Sequence, residues 1–148
     1  MIKYCNNREH IIPLWAEAFG DSREDIEFFI DNAADAKCLM YYLDGEPASM
    51  MYLVKCTVNG DELSYVYAAC TAEKFKNRGL MSALIDYCID SGIKVCLIPA
   101  NDSLIDYYSK RGINNKIDIN SIKVEQTKDI EEYLFEGYNL SSPTALRS

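Results

Sequence analysis

The sequence predicts a mixed α/β sheet with helices packed on it, and three observations carry that reading. Residues 38–71 hold strand-like runs separated by the turn residues Asp44-Gly45-Glu46-Pro47 and Asn59-Gly60-Asp61. From Leu63 onward the pattern becomes strand, helix, strand, helix, so an antiparallel front half joins a β-α-β-α back half. The chain has 148 residues, 49% of them hydrophobic, with no linker, repeat or low-complexity tract, which suits one core. Residues 1–140 are read as a single domain and residues 141–148 as a frayed, flexible tail.

Each element has a local reason. Ile2 to Cys5 reads as a short first strand. Ile11, Trp15, Ala18 and Phe19 recur at helical spacing, with Gly20 as the stop. Ser22 followed by Asp25 resembles a capping box and opens a second helix with Ile26, Phe29, Ile30 and Ala33 on one face. Leu39 to Leu43, Ala48 to Val58 and Leu63 to Thr71 are the strands of the front half, and Asn59-Gly60 is a strong hairpin signal. Leu80, Leu84, Tyr87 and Cys88 mark a helix ended by Ser91-Gly92. Val95 to Ile98 is a continuous apolar run, as a strand covered on both faces requires. Asp102 or Ser103 caps a last helix through Lys110, with Gly112 beyond it. Ile117 to Val124 alternates as one strand, whereas Glu131 to Tyr138 fits helix or strand.

Composition narrows the function. A formal charge of −8 argues against a nucleic-acid partner, whose phosphates require clustered Lys and Arg. It suits a cationic acceptor such as an amine, and equally serves solubility. The N-terminus MIKYCNNREH lacks the apolar core of a signal peptide, and no apolar run approaches the ~20 residues that span a bilayer. A cytoplasmic protein with no membrane partner is expected. The six cysteines show no CxxC spacing and mostly sit in apolar runs; buried reduced thiols are the favoured reading, with disulfides or a metal site as alternatives.

One loop breaks the acidic pattern. Lys74, Lys76 and Arg78 precede Gly79, which leads into the amphipathic helix through Leu80, Met81 and Ser82. Amides of Asn77 to Ser82 can face a pyrophosphate while Lys76 and Arg78 neutralise it. A solvated basic loop would look the same. The segment is neither a Walker A loop nor a three-glycine dinucleotide fingerprint. Later in the chain Asn101 follows the buried strand, and Tyr107-Tyr108-Ser109-Lys110-Arg111-Gly112-Ile113 closes the last helix.

Together these two segments resemble the Gcn5-related N-acetyltransferase (GNAT) family. Its cofactor loop reads approximately Arg/Gln-x-x-Gly-x-Gly/Ala, and its later segment runs from Asn, seven residues on, to a Tyr before Gly-Phe. Asn101 and Tyr108 keep that spacing, while Lys76 and Met81 depart from the loop pattern. The runs Thr71 to Met81 and Leu14 to Ser22 are similar to the enhanced-intracellular-survival branch.

The resemblance implies a mostly antiparallel sheet splayed between its fourth and fifth strands, with acetyl-CoA in the gap. It implies that Cys70 and Thr71 offer main-chain groups to the pantetheine arm, one backbone N–H polarising the thioester carbonyl. Lys76, Asn77, Arg78, Gly79, Leu80, Met81 and Ser82 would hold the pyrophosphate, and Asn101 the pantetheine amide. Tyr108 would donate a proton to the departing thiolate. No metal is implied.

The implied activity is direct transfer of acetyl from acetyl-CoA to a primary amine of a small molecule or protein. The alternative is a non-catalytic acetyl-CoA sensor or partner subunit. The general base stays open, with Glu62 and Glu73 as candidates by position and a water relay as another route; Cys70 reads as a packed strand residue. Asp21, Glu24, Asp25 and Asp31 on the first two helices would border the acceptor pocket by family analogy. The family's last strand is not visible, so it is either missing or borrowed from a partner, which makes a homodimer the expectation.

Overall fold

The computed structural model describes residues 1–138 and 144–148. In chain order the elements are β1 (Ile2–Cys5), α1 (Arg8–Phe19), α2 (Arg23–Asn32), β2 (Ala36–Leu43), β3 (Glu46–Val58) and β4 (Asp61–Thr71). There follow a 3-10 turn (Glu73–Phe75), α3 (Leu80–Asp90), β5 (Val95–Leu97) and α4 (Ser103–Ser109). The chain then forms β6 (Asn115–Asp118), a second 3-10 turn (Ile119–Ser121), β7 (Ile122–Lys123), α5 (Lys128–Phe135) and β8 (Thr144–Arg147).

The strands make one sheet in the order β1-β2-β3-β4-β5-β8-β6, with β7 added against β3. Among the described residues the strands pair antiparallel except β4 with β5, as the mixed, mostly antiparallel prediction requires. Period-two alternation sorts the side chains onto two faces. Met40, Met50, Tyr52 and Val54 pack in one core cluster with Ile11, Trp15, Ile26, Phe29, Ile130 and Leu134 from α1, α2 and α5. Leu39, Met51, Leu53 and Val66 pack in the other with Leu84, Ile85 and Cys88 from α3. Covered on both faces, β3 is buried almost throughout.

Local chemistry sets the helix boundaries. Asn7 caps α1 by accepting from the Glu9 amide at 3.0 Å, and Ser22 caps α2 by accepting from the Asp25 amide at 3.2 Å. Thr127 does the same for α5 through the Ile130 amide at 3.3 Å, and that settles residues 131–135 as helix.

Two expectations need correction. The stretch 117–124 is not one strand: Asp118 accepts from the Asn120 amide at 2.8 Å, a local turn that separates β6 from β7. The frayed tail is likewise wrong for residues 144–147, which form β8 between β5 and β6. Ala145 and Leu146 are fully buried there, and both edges of the strand are paired. The last strand that the resemblance implies is therefore supplied by this chain, and the reason for expecting a borrowed one falls away. Residues 139–143 lie outside the described residues.

Candidate active site

The parallel pairing of β4 with β5, the one among the described residues, is short. β4 and β5 meet only at Ser64 with Val95 and Tyr65 with Cys96. Beyond that point Val66 to Ala69 and Leu97, Ile98 and Ala100 line one cavity of about 400 Å³, so the strands part. Among the described residues, the β5-facing backbone groups of β4 after Tyr65 have no ladder partner, a state that a ligand or water can satisfy. The strand is also bulged. Its register on β3 passes from Met50–Cys70 to Tyr52–Tyr67, so Ala68 and Ala69 together oppose Met51. Ala68 sits at φ 53°, a left-handed conformation that costs an L-residue roughly 1–2 kcal/mol.

At the far end of β4 the chain enters the basic loop. Asn77 at φ 64° and Gly79 at φ 75° fold it back toward α3, which starts without a side-chain cap. The first helical bond runs from the Ala83 amide to Gly79 at 3.0 Å, which leaves the amides of Leu80, Met81 and Ser82 outside the intrahelical ladder. Such an end attracts an anion. Met81, the departure from the family's small residue, packs its side chain on the core beneath α3 and leaves its amide available.

The loop's cations are not equally available. Lys76 is bridged to Glu73 at 2.9 Å, and Lys74 is paired with Glu46. Arg78 stacks over the Phe75 ring, 5.5 Å from its centroid, with no carboxylate partner among the described residues. A further cation arrives from outside the loop. Arg111, just past α4, donates from Nε to Ser82 Oγ at 2.7 Å and from Nη1 to the Tyr107 carbonyl at 2.7 Å. Its guanidinium lies 3.6 Å from the Tyr107 ring centroid, and among the described residues it too has no carboxylate partner.

Tyr108 projects from α4 into the cavity wall. Among the described residues its hydroxyl has no hydrogen-bond partner. Burial, with Tyr107 and Tyr138 beside it, pushes its pKa up to about 12. Cys70 turns its side chain the other way, into the core, where burial raises the thiol to about 12; this is not an activated nucleophile. The Cys70 carbonyl accepts from Ser49 Oγ at 3.0 Å, and Ser49 Oγ also lies 2.9 Å from Thr71 Oγ1. Asn101 is exposed beside the cavity without lining it, and its Oδ1 accepts from Ser103 Oγ.

The cavity mouth is aromatic and acidic. Trp15, Tyr67, Tyr133 and Tyr138 supply rings, and the charged lining residues are Asp21 and Glu136. Asp21 Oδ2 accepts from Trp15 Nε1 at 2.8 Å, which fixes the carboxylate at the rim. Burial first, then the neighbouring Tyr138, Asp21 and Tyr133, hold the Tyr67 hydroxyl protonated well beyond its ordinary range. Neither carboxylate singled out as a base lines this cavity. Glu62 stands at the opposite end of β4, about 20 Å upstream of Ala68 at the usual strand rise. Glu73 is engaged with Lys76 in the loop. Of the helix acids only Asp21 lines the cavity; Asp31, for instance, pairs with Arg8. Among the described residues no group of three or more His, Cys, Asp or Glu could hold a metal, and no helix could cross a membrane.

A model of the acetyltransferase (GNAT) family matches residues 6–113. No curated protein matches the chain. Among solved structures, a Corynebacterium glutamicum protein described as histone acetyltransferase HPA2 and related acetyltransferase aligns at a TM-score of 0.69 with 12% identity, over 99% of this chain and 93% of that one. A Bacillus subtilis acetyltransferase in complex with CoA aligns at a TM-score of 0.57 with 13% identity, over 99% and 94%. The glucosamine N-acetyltransferase region of a fungal multi-domain β-N-acetylglucosaminidase aligns at 0.62 with 13% identity, over 80% of this chain and 18% of that one. Several matched chains are much longer, and this chain spans 31%, 18% and 43% of three of them. At these identities the likeness is one of fold.

Proposed function

This chain belongs to the acetyltransferase (GNAT) family, and on that premise we propose that it moves acetyl from acetyl-CoA to a primary amine with both substrates bound at once. The observation that carries the reading is the cavity that opens where β4 and β5 part, with Tyr108 in its wall. The uncapped start of α3, the unpaired edge of β4 and the cavity beside Tyr108 follow one another along the chain. A thioester-bearing arm laid on that edge would bring its reacting carbon to the bulge.

The roles follow from what each group can offer. Amides of Leu80, Met81 and Ser82, with Asn77 and Gly79 shaping the loop, hold the pyrophosphate, and Arg78 and Arg111 balance its charge. Lys76 contributes after exchanging Glu73 for phosphate. Backbone groups of Cys70 and Thr71 pair with the pantetheine arm, and Asn101 meets its amide from the β5 side. The bulge at Ala68-Ala69 turns a free amide toward the thioester oxygen, where negative charge builds during attack. Acetyl-CoA supplies an activated acyl group with a thiolate leaving group. Tyr108 faces that sulfur as a hydrogen-bond donor.

The acceptor enters past Asp21 and Glu136, which favour a cationic amine and can take its proton directly or through water. The acceptor class is therefore a primary amine of a small molecule or an exposed protein amino group. Similarity to the enhanced-intracellular-survival branch rests on Leu14–Ser22 and Thr71–Met81 alone. Release of CoA in the presence of a panel of amines tests the reading. Acetyl-CoA must bind, and at least one amine must accelerate release in wild type and not in Tyr108→Phe. Failure of acetyl-CoA to bind refutes the reading. Binding with no release for any amine would favour the sensor or partner-subunit alternative.

A further inference from the structure

A second cluster lies away from the acetyl groove, under α1 and α2. Cys5 at the end of β1 and Cys38 in β2 are directly opposed across an antiparallel ladder. Opposed residues in such a ladder have Cα atoms about 4.5–5.5 Å apart and side chains on one face. That separation falls inside the roughly 4.4–6.8 Å that a disulfide bridges. Both cysteines line a cavity of about 390 Å³ with Tyr4, Ile11, Lys37 and Tyr52, so a small reagent can reach them.

The hydrogen bonds around Cys5 have a direction. The Tyr42 hydroxyl donates to Cys5 Sγ at 3.2 Å, and His10 Nδ1, on the chain's one histidine, lies 2.8 Å from the same hydroxyl. A phenol has one proton, and here it is committed to the sulfur. The oxygen of Tyr42 can then only accept from His10, so Nδ1 carries a proton. The Tyr42 bond points toward the sulfur, and the Cys5 thiol in turn donates to the Asn7 carbonyl at 3.8 Å. Lys3 Nζ sits 5.0 Å from the Tyr42 ring centroid, and Lys37 lines the cavity. Cys38 differs: it is buried, and burial raises its thiol.

We propose that Cys5 and Cys38 form a modification site in which Cys5 attacks a low-molecular-weight disulfide and Cys38 resolves the product into an intramolecular disulfide. In the first step the Cys5 thiolate bonds to one sulfur of the reagent and the other departs as a thiolate. In the second, Cys38 attacks Cys5, the remaining half leaves, and it carries off the Cys38 proton. The dithiol loses two electrons and two protons, and the reagent becomes two thiols. The fold contains an internal contrast. Cys56 and Cys96 have sulfurs 3.5 Å apart but lie on β3 and β5 with β4 between them. They are not opposed in a ladder, and both are buried.

Reduced, folded protein is exposed to glutathione disulfide, quenched with an alkylating agent and mapped by peptide mass spectrometry. Wild type is expected to join the peptides containing Cys5 and Cys38 and to leave the other cysteines reduced. Cys38→Ser is expected to accumulate glutathione on Cys5, and Cys5→Ser to leave Cys38 unmodified. Tyr42→Phe is expected to slow the first step about threefold, because the sulfur loses the hydroxyl that donates to it. No reaction at Cys5, a stable adduct on Cys5 in wild type, or a bond between any other pair overturns the proposal. An unchanged rate in Tyr42→Phe overturns the priming of Cys5.

Discussion

Replacing Tyr108 with Phe isolates one hydroxyl in the cavity where β4 and β5 part, and under the proposed function its effect can be read without knowing the acceptor. Burial, with Tyr107 and Tyr138 nearby, places the phenol at about 12, whereas an ordinary thiol titrates near ~8.5. The phenol therefore keeps its proton when the sulfur of bound CoA ionises. Full transfer to the thiolate would be uphill by roughly three to four pKa units, so under the proposed function Tyr108 would act by hydrogen bonding rather than by ionising. A hydrogen bond to a charged partner contributes roughly 1.5–3 kcal/mol, which corresponds to about one to two pKa units on the thiol. The thiolate is the form stabilised, so removing the donor raises the thiol pKa. Ultraviolet titration of the thiolate in saturated complexes is expected to place the CoA thiol of Tyr108→Phe about one to two units above that of wild type. CoA affinity at neutral pH should change by less than about threefold, since a neutral thiol gains little from the phenol. A difference below roughly 0.3 unit would refute the contact, and an equal loss of affinity would reassign Tyr108 to packing.

The remaining expectations concern the bulge, the phosphate end and the turn after α4. Ala68→Val forces a β-branched side chain into a left-handed position and should destabilise the fold by about 1–2 kcal/mol, read as a lower urea midpoint at unchanged slope. Ala68→Gly should stay within about 1 kcal/mol of wild type, because relief of strain is offset by a freer unfolded chain. Arg111→Ala should weaken CoA roughly tenfold and leave pantetheine, which has no phosphate, unchanged in calorimetric titration. An equal loss for both ligands would mean that Arg111 only staples α4 to α3. Gly112→Ala should lower the thermal midpoint by several degrees, because φ there is 93° and an added Cβ would stand 3.0 Å from Ile89 Cδ1.

The parts of the fold that the sequence announces are those whose cause is local. Asn59-Gly60, Ser22 before Asp25, and Gly20 after Phe19 each carry a turn or a cap within a few residues, and each stands where it was expected. β8 has no such signal. Thr144-Ala145-Leu146-Arg147 is too short to show a period, and it is a strand because β5 and β6 flank it with two unpaired edges. The segment 117–124 fails in the opposite way. Its alternation is real, yet Asp118 captures the Asn120 amide and interrupts the ladder.

The site divides along the same line. Gly79 and the helix behind it are legible because an uncapped helix start is a local event. The bulge is not, although it leaves a trace: Leu63, Tyr65 and Tyr67 face the α1 side of the sheet, and after the slip Ala68, Cys70 and Ala72 do. Two adjacent alanines conceal that change of phase, since neither is committed to a face by size. The cations mislead for an electrostatic reason. Lys76 has the right spacing, but Glu73 lies one helical turn before it, and a charge with a neighbour of opposite sign in sequence is largely compensated before any ligand arrives. Arg111 carries no such partner among the described residues, because it reaches the start of α3 only through the packing of α4. Arg78, in the loop itself, is also without a carboxylate among the described residues. Of the two cations proposed to meet a diphosphate, one is thus legible in the chain and the other is delivered by tertiary structure.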